Sequence, residues 1–249
     1  MTHPFRILCA VDARLPAAAA FEQALALSVA RAAQLVLVHA VKNTAYSWGA
    51  VERVSTLSAL RERAEALNVS VRVRTQQGDT AGVVLLHATA QAPDLIVLGS
   101  HEPVGLAQLR FASTADRVVR GATCPVLLVP AAATGATPSF SKVVYAVDLS
   151  TQPAAVIRDV ARVVDGGERF TLIDIIDDDA ILRVARETAA DLIVMGITRS
   201  TATALRERFL GSPAIRVSRR SPVPVMILPA VHAKRTLSTL DQSALGWAA

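Results

Sequence analysis

The chain has 249 residues, a length that suits one large domain or two of about 100–150 residues. A hydrophobic fraction of 52% is ample for a buried core and excludes a disordered chain, while no apolar run reaches the roughly 18–20 residues that span a bilayer. The net charge of +5, from 26 basic and 21 acidic residues spread without a block or interleaved aromatics, points away from nucleic acid.

Met1 leads almost directly into the apolar run Phe5 to Val11, so no secretory leader is expected and the cytoplasm is the expected location. Strands are expected near 5–11, 35–41, 69–75, 94–99 and 125–129, those near 5–11, 94–99 and 125–129 being short apolar runs. Alanine-rich stretches of helical period lie between them, with helices expected near 16–33, 50–67, 80–91 and 113–121. The stretch from Ala131 to Ser141, rich in Ala, Thr, Gly, Pro and Ser, reads as a linker. Beyond it, strands near 142–147, 170–176, 191–196 and 224–228 alternate with helices near 152–165, 178–189 and 212–220. The division expected is therefore 1–130, a linker 131–141, a second unit 142–230, and a tail 231–249.

The two units repeat one another. Ile7-Leu8-Cys9-Ala10-Val11-Asp12 answers to Val143-Val144-Tyr145-Ala146-Val147-Asp148. Asp94-Leu95-Ile96-Val97-Leu98-Gly99 answers to Asp191-Leu192-Ile193-Val194-Met195-Gly196, and Pro125 to Pro130 answers to Pro224 to Pro229. Wholly apolar strands fit a parallel sheet covered on both faces, and alternation with helices implies right-handed crossovers in a doubly wound α/β fold. The interval from Asp148 to Asp191 is shorter than that from Asp12 to Asp94 by roughly 40 positions, about one helix plus one strand. A strand can be lost only at an edge, because a central gap would strand backbone N–H and C=O groups. The second copy is therefore expected to have four strands rather than five.

In such sheets ligands bind beyond the carboxyl ends of the strands, where strand order reverses. That crevice would lie at Asp12 and Gly99 in the first copy and at Asp148 and Gly196 in the second. Helices follow near Ser113 and Ser212, and a helix N-terminus suits an anion. Both serines also fit the simpler role of N-caps. Asp177-Asp178-Asp179 heads a helix, where negative charge suits the dipole. The histidines show no metal spacing, and Cys9 and Cys124 read as small buried hydrophobes. Tyr46 and Trp48 fall in a loop after the second strand, where they either flank a ligand or cover core.

These segments resemble the universal stress proteins. The opening Ala-Val-Asp, Leu-Val-His-Ala at 37–40 and Cys-Pro-Val-Leu-Leu-Val at 124–129 look like that family's strands. The stretch from Gly99 to Ser113 resembles its phosphate loop, Gly-x2-Gly-x9-Gly-(Ser/Thr). The likeness covers 5–130 well and 142–229 in trimmed form. It implies an adenine-nucleotide α-hydrolase-like fold, with strand order 3-2-1-4-5 in the first copy and 2-1-4-5 in the second, and, in nucleotide-binding members, ATP or AMP. Both loops depart from the pattern. The first keeps Gly99 and Ser113 but has Glu102 and Ala112 at the later glycine positions, and a carboxylate there repels phosphate. The second keeps Gly196, places Arg199 at the second glycine position, and closes on Gly211-Ser212 two positions late. Arg199 can pair with phosphate. Pro213 removes one N–H but suits the first turn of a helix. Asp148-Leu149-Ser150 keeps the family's Asp-x-Ser, whereas Asp12-Ala13-Arg14 does not.

The site implied by the resemblance thus comprises Asp148, Ile175, Gly196, Arg199, Gly211 and Ser212. Ile175 enters at the end of the second strand, where the family contacts adenine. A degenerate counterpart comprises Asp12, Ala40, Gly99 and Ser113. Neither copy plainly supplies both an intact phosphate loop and a metal-binding acid, so the expected role is non-catalytic regulation, with no metal, no membrane and no nucleic-acid partner. A slow ATPase on the same fold and a nucleotide-free protein-binding adaptor are the competing readings. The family commonly dimerises through its last strands. Here 125–129 and 224–228 are expected to pair antiparallel within one chain as a pseudo-dimer, with a homodimer as the other assembly in view.

Overall fold

The computed structural model describes residues 4–12, 19–41, 50–100, 113–131, 133, 135–147, 169–174, 177–196 and 213–228. The first copy contributes β1 (Arg6–Ala10), α1 (Ala19–Ala30), β2 (Gln34–Val41), α2 (Ala50–Ala66), β3 (Val71–Gln77), α3 (Thr80–Gln91), β4 (Leu95–Ser100), α4 (Thr114–Gly121) and β5 (Val126–Pro130). The second contributes β6 (Lys142–Val147), β7 (Arg169–Asp174), α5 (Asp178–Glu187), β8 (Leu192–Gly196), α6 (Pro213–Arg220) and β9 (Val225–Leu228). The helix expected near 152–165 and the tail 231–249 lie outside the described residues.

All nine strands form one sheet, ordered β3-β2-β1-β4-β5-β9-β8-β6-β7. The first copy runs 3-2-1-4-5, and the second repeats that order without its outermost strand. Every pairing within a copy is parallel. The exception is the seam, where β5 meets β9 antiparallel with Leu127 opposite Met226. Every residue of β5 and β9 is buried, so the seam passes through the core rather than along its surface.

Side chains alternate across the sheet and build two cores. Ile7, Cys9, Leu35, Leu37, Leu95, Val97, Leu127 and Met226 face α1 and α2. Leu8, Val36, Ile96, Leu98, Leu128, Ile193 and Ile227 face α3, α4, α5 and α6. The segment after β5 belongs to the first of these cores. Phe140 is fully buried in it, and Gln23 of α1 clamps Thr137, donating from Nε2 to its carbonyl (2.7 Å) and accepting from its N–H (3.1 Å).

Two helix ends fall short of the expected bounds. α1 stops at Ala30 rather than near 33, and α5 at Glu187 rather than near 189. The cause is a left-handed residue: φ is +48° at both Ala32 and Ala189. The next N–H, of Ala33 or Ala190, then reaches back to the carbonyl of Ser28 or Ala185 (2.9 Å each). This is a closure usually made by glycine, and alanine gives no sign of it in the sequence.

Candidate functional site: the crevices at the carboxyl ends of the strands

The repeat is first held together at the opposite ends of the strands. Asp94 accepts from the backbone N–H of Arg6 (2.8 Å), and its own N–H donates to the Arg6 carbonyl (2.9 Å). Asp191 does the same for Lys142 (3.0 and 2.9 Å) and also takes the N–H and hydroxyl of Ser141 (2.8 Å each). The aspartate of each Asp-Leu-Ile-Val segment is therefore a clip that sets the register of the fourth strand against the first.

A second repeated device links the helices. Asp79 caps α3, accepting from the Gly82 N–H (2.9 Å), and its other oxygen pairs with Arg117 of α4 (2.7 Å). Asp178 in the first turn of α5 takes two N–H groups of Arg216 of α6 (2.6 and 3.1 Å), and Asp179 pairs with Arg220. The two main pairs have equal sequence separation, 38 positions. Sequence reading explained Asp177-Asp178-Asp179 by the helix dipole alone. The added arginine partners were legible only as the recurrence of an Arg four positions beyond Ser113 and Ser212. Asp177 is the N-cap by position but makes no side-chain cap bond. Among the described residues no group of three or more His, Cys, Asp or Glu side chains converges on a metal-sized site.

In the first crevice β1 ends at Ala10, and Val11 holds the exit against β2: its N–H donates to the Val38 carbonyl and its carbonyl meets Nδ1 of His39, both at 3.0 Å. Asp12 and Ala40 follow at the rim, half-buried. Gly99 lies beside Val129 in register, and Ser100 beside Pro130. Ser100 is buried, and its hydroxyl donates to the Ser218 carbonyl of α6 (3.2 Å), tying the start of the first loop to the second copy. Ser113 caps α4 and accepts from the Asp116 N–H (3.2 Å). Asp116 is buried at 4% exposure; one oxygen takes Arg120 (2.9 Å) and the other has no hydrogen-bond partner among the described residues. The first turn of α4 thus already holds a carboxylate where the dipole favours negative charge. The structure brings Asp12, Ala40, Gly99 and Ser113 to the same end of the sheet, with the serine hydroxyl engaged as a cap.

In the second crevice Gly196 ends β8, half-buried beside Leu228. A Cβ built on Gly196 would meet nothing within 4 Å among the described residues. Pro213 opens α6, as its fixed φ suits. Asp148, Ile175, Arg199, Gly211 and Ser212 lie outside the described residues, as do Glu102, Tyr46 and Trp48.

The thiols take no part. Burial pushes both Cys9 and Cys124 up to about 12, with the Asp94 carboxylate adding to the shift at Cys124. No described helix is long and apolar enough to cross a membrane.

A doubly wound parallel α/β unit, whose fourth strand carries a glycine at its end (Gly196) or next to it (Gly99) and leads toward a further helix, is present twice. Comparison narrows the class. The model of the universal stress protein family matches residues 5–130 and 159–229. Universal stress protein A homolog 2 of Coxiella burnetii is 35% identical over 121 residues, 43% of this chain and 82% of that one. Universal stress protein MJ0531 of Methanocaldococcus jannaschii is 32% identical over 78 residues, 31% of this chain and 46% of that one. The crystal structure of a universal stress protein from Archaeoglobus fulgidus shares the fold over 90% of this chain and 96% of its own, with a TM-score of 0.71 at 17% identity. The chain belongs to the universal stress protein family.

Proposed function

We propose that this protein is a non-catalytic regulatory module of the stress response whose second copy holds an adenine nucleotide, ATP or AMP, while its first crevice stays empty. The site is formed by Asp148, Ile175, Gly196, Arg199, Gly211 and Ser212. The observation that carries this reading is Gly196. Its backbone needs no positive φ, and among the described residues nothing stands within 4 Å of a Cβ placed there, so neither conformation nor the described packing calls for a glycine. A close-approaching ligand does, since a glycine lets phosphate reach the backbone. Arg199 supplies the countercharge and the N-terminus of α6 the N–H donors. In the first copy the likeness to the family puts Glu102 at a glycine position of the loop, and the first turn of α4 already holds the buried carboxylate of Asp116, both unfavourable to phosphate. On the same reading the chain is a pseudo-dimer, with β5 and β9 doing within one molecule what the family's last strands do between two.

The test is Gly196→Val together with mass spectrometry of ligand released from the purified wild type. The wild type is expected to release ATP or AMP. The variant is expected to fold with unchanged melting, because its side chain meets no described residue, and to bind ATP at least tenfold more weakly. Equal affinity in variant and wild type would overturn the site. A wild type that neither releases nor binds adenine nucleotide would favour the adaptor reading.

A further inference from the structure

β3 closes one end of the nine-stranded sheet. It pairs with β2 along its whole length, and among the described residues nothing pairs with its other side. The carbonyl of Ser70 and the N–H of Gly78 turn inward to β2. Alternation along the strand therefore turns the N–H and C=O groups of Val71, Val73, Thr75 and Gln77 outward, as an open row of donors and acceptors. The side chains sort by face. Val71 and Val73, in register with Leu35 and Leu37, pack with the core under α1 and α2. Arg72 and Arg74, in register with Val36 and Val38, share the other face and are exposed. α3, which packs on Val36 and Val38, has no charged residue, and among the described residues neither arginine has a carboxylate partner. By contrast Arg63, Arg117 and Arg216 of the helices are each paired. Two like charges side by side on one strand repel each other, and opposite charge on a neighbouring strand relieves them.

We propose that this edge receives, by strand addition, an extended partner segment in which acidic and apolar residues alternate. The outward row of N–H and C=O groups selects a peptide backbone, because neither a nucleic acid nor a lipid headgroup can continue it. Side chains opposite one another in a sheet share a face, whether the strands run parallel or antiparallel. Alternate carboxylates of the partner therefore stand opposite Arg72 and Arg74, and the residues between them extend the apolar row of Val71 and Val73. The same arginines exclude the commonest wrong occupant, since a second β3 would bring its own Arg72 and Arg74 to the arginine face. The charge that guards the edge against its like thus also selects its partner. A contact built on one strand of seven residues lies at the weak end of specific interfaces, so a dissociation constant of about 10–100 µM is expected.

The test is fluorescence anisotropy of the full chain with a labelled peptide of alternating valine and glutamate, beside a peptide of the same composition with its glutamates grouped. The alternating peptide is expected to bind, and the grouped one at least tenfold more weakly. Arg72→Glu with Arg74→Glu should weaken the alternating peptide at least tenfold and bind a valine–lysine peptide instead. Thr75→Pro removes one outward N–H and leaves both arginines and the bonds to β2 in place. It should weaken binding at least threefold, which charge attraction alone would not do. No binding by the wild type, equal binding of the two peptides, a reversal without effect, or Thr75→Pro at wild-type affinity would each overturn the proposal. So would tighter binding of a single-stranded oligonucleotide, which would make the arginines a phosphate contact. Should a variant fail to fold, amide exchange in the wild type decides. The N–H groups of Val71, Val73, Thr75 and Gln77 should gain protection on saturation with the alternating peptide, and unchanged protection overturns the proposal.

Discussion

The first and second copies keep the same frame and differ at its margins. Asp94 and Asp191 make the same clip to the first strand, and Asp79–Arg117 and Asp178–Arg216 make the same strut between helices on the same face. What the second copy has lost is an edge strand and the helix leading to it. The lesson is where a doubly wound sheet tolerates loss. Removing an outer unit leaves every remaining parallel pairing intact, whereas removing any inner strand would leave a row of unpaired backbone groups in the core. The crevices differ too. The first has its cap serine, Ser100 and a buried carboxylate already committed to the protein, while in the second no described residue stands within 4 Å of a Cβ on Gly196.

The comparison is broken most severely at the seam, which both copies share. Leu127 is fully buried opposite Met226, so Leu127→Glu buries an unpaired charge and should cost at least about 4 kcal/mol. The chain should be recovered mainly as aggregate. A control charge at exposed Thr75 on β3 should stay within about 0.5 kcal/mol in denaturant unfolding. Soluble Leu127→Glu with wild-type melting would show that the copies do not depend on each other.

Next in size is an alkaline effect. Both thiols are raised from 9.0 to about 12, so the folded chain holds protons that the unfolded chain releases. The stability they contribute is present below pH 9 and lost as pH rises from 9 toward about 12. The melting temperature should fall through that window, and Cys9→Ala with Cys124→Ala should flatten the fall. An unchanged slope would contradict it.

The clips sharpen the likeness between copies. Asp191→Ala removes three hydrogen bonds to a carboxylate and should cost about 2 kcal/mol. Asp94→Ala, which also opens the clip to β1, should cost about 1 kcal/mol. Denaturant unfolding in which neither matters would remove the structural reading of the repeated aspartate. The smallest effects are gains. Ala92 and Ala189 hold equivalent left-handed positions, with φ of +43° and +48°. Glycine at either should stabilise by up to about 1 kcal/mol, similarly in both copies, as read by thermal melting.

The parallel α/β class and the loss of an edge unit were legible because apolar runs and their repeat report burial on both faces. Strand order followed from the likeness to the family, carried by Leu-Val-His-Ala and the Cys-Pro-Val run. The helix stops at Ala32 and Ala189 were not, since a left-handed alanine is imposed by the closing hydrogen bonds and not by propensity. The struts were hidden because an Asp and an Arg far apart in sequence look like any solvated pair until the fold brings them together. Ser100 was hidden for a related reason: its partner is a backbone carbonyl of the other copy, and a carbonyl leaves no trace in sequence. Of the proposed site, the residues at strand ends follow from periodicity. Those between strand and helix, Arg199 and Gly211 among them, rest on the likeness to the family's loop.

The most direct measurement is a calorimetric titration of the full chain with ATP, alongside Arg199→Ala and Ser113→Ala. One nucleotide per chain is expected, weakened at least tenfold by Arg199→Ala and unchanged by Ser113→Ala. Two nucleotides per chain, binding that depends on Ser113 and not on Arg199, or no binding at all would contradict a single live site in the second copy.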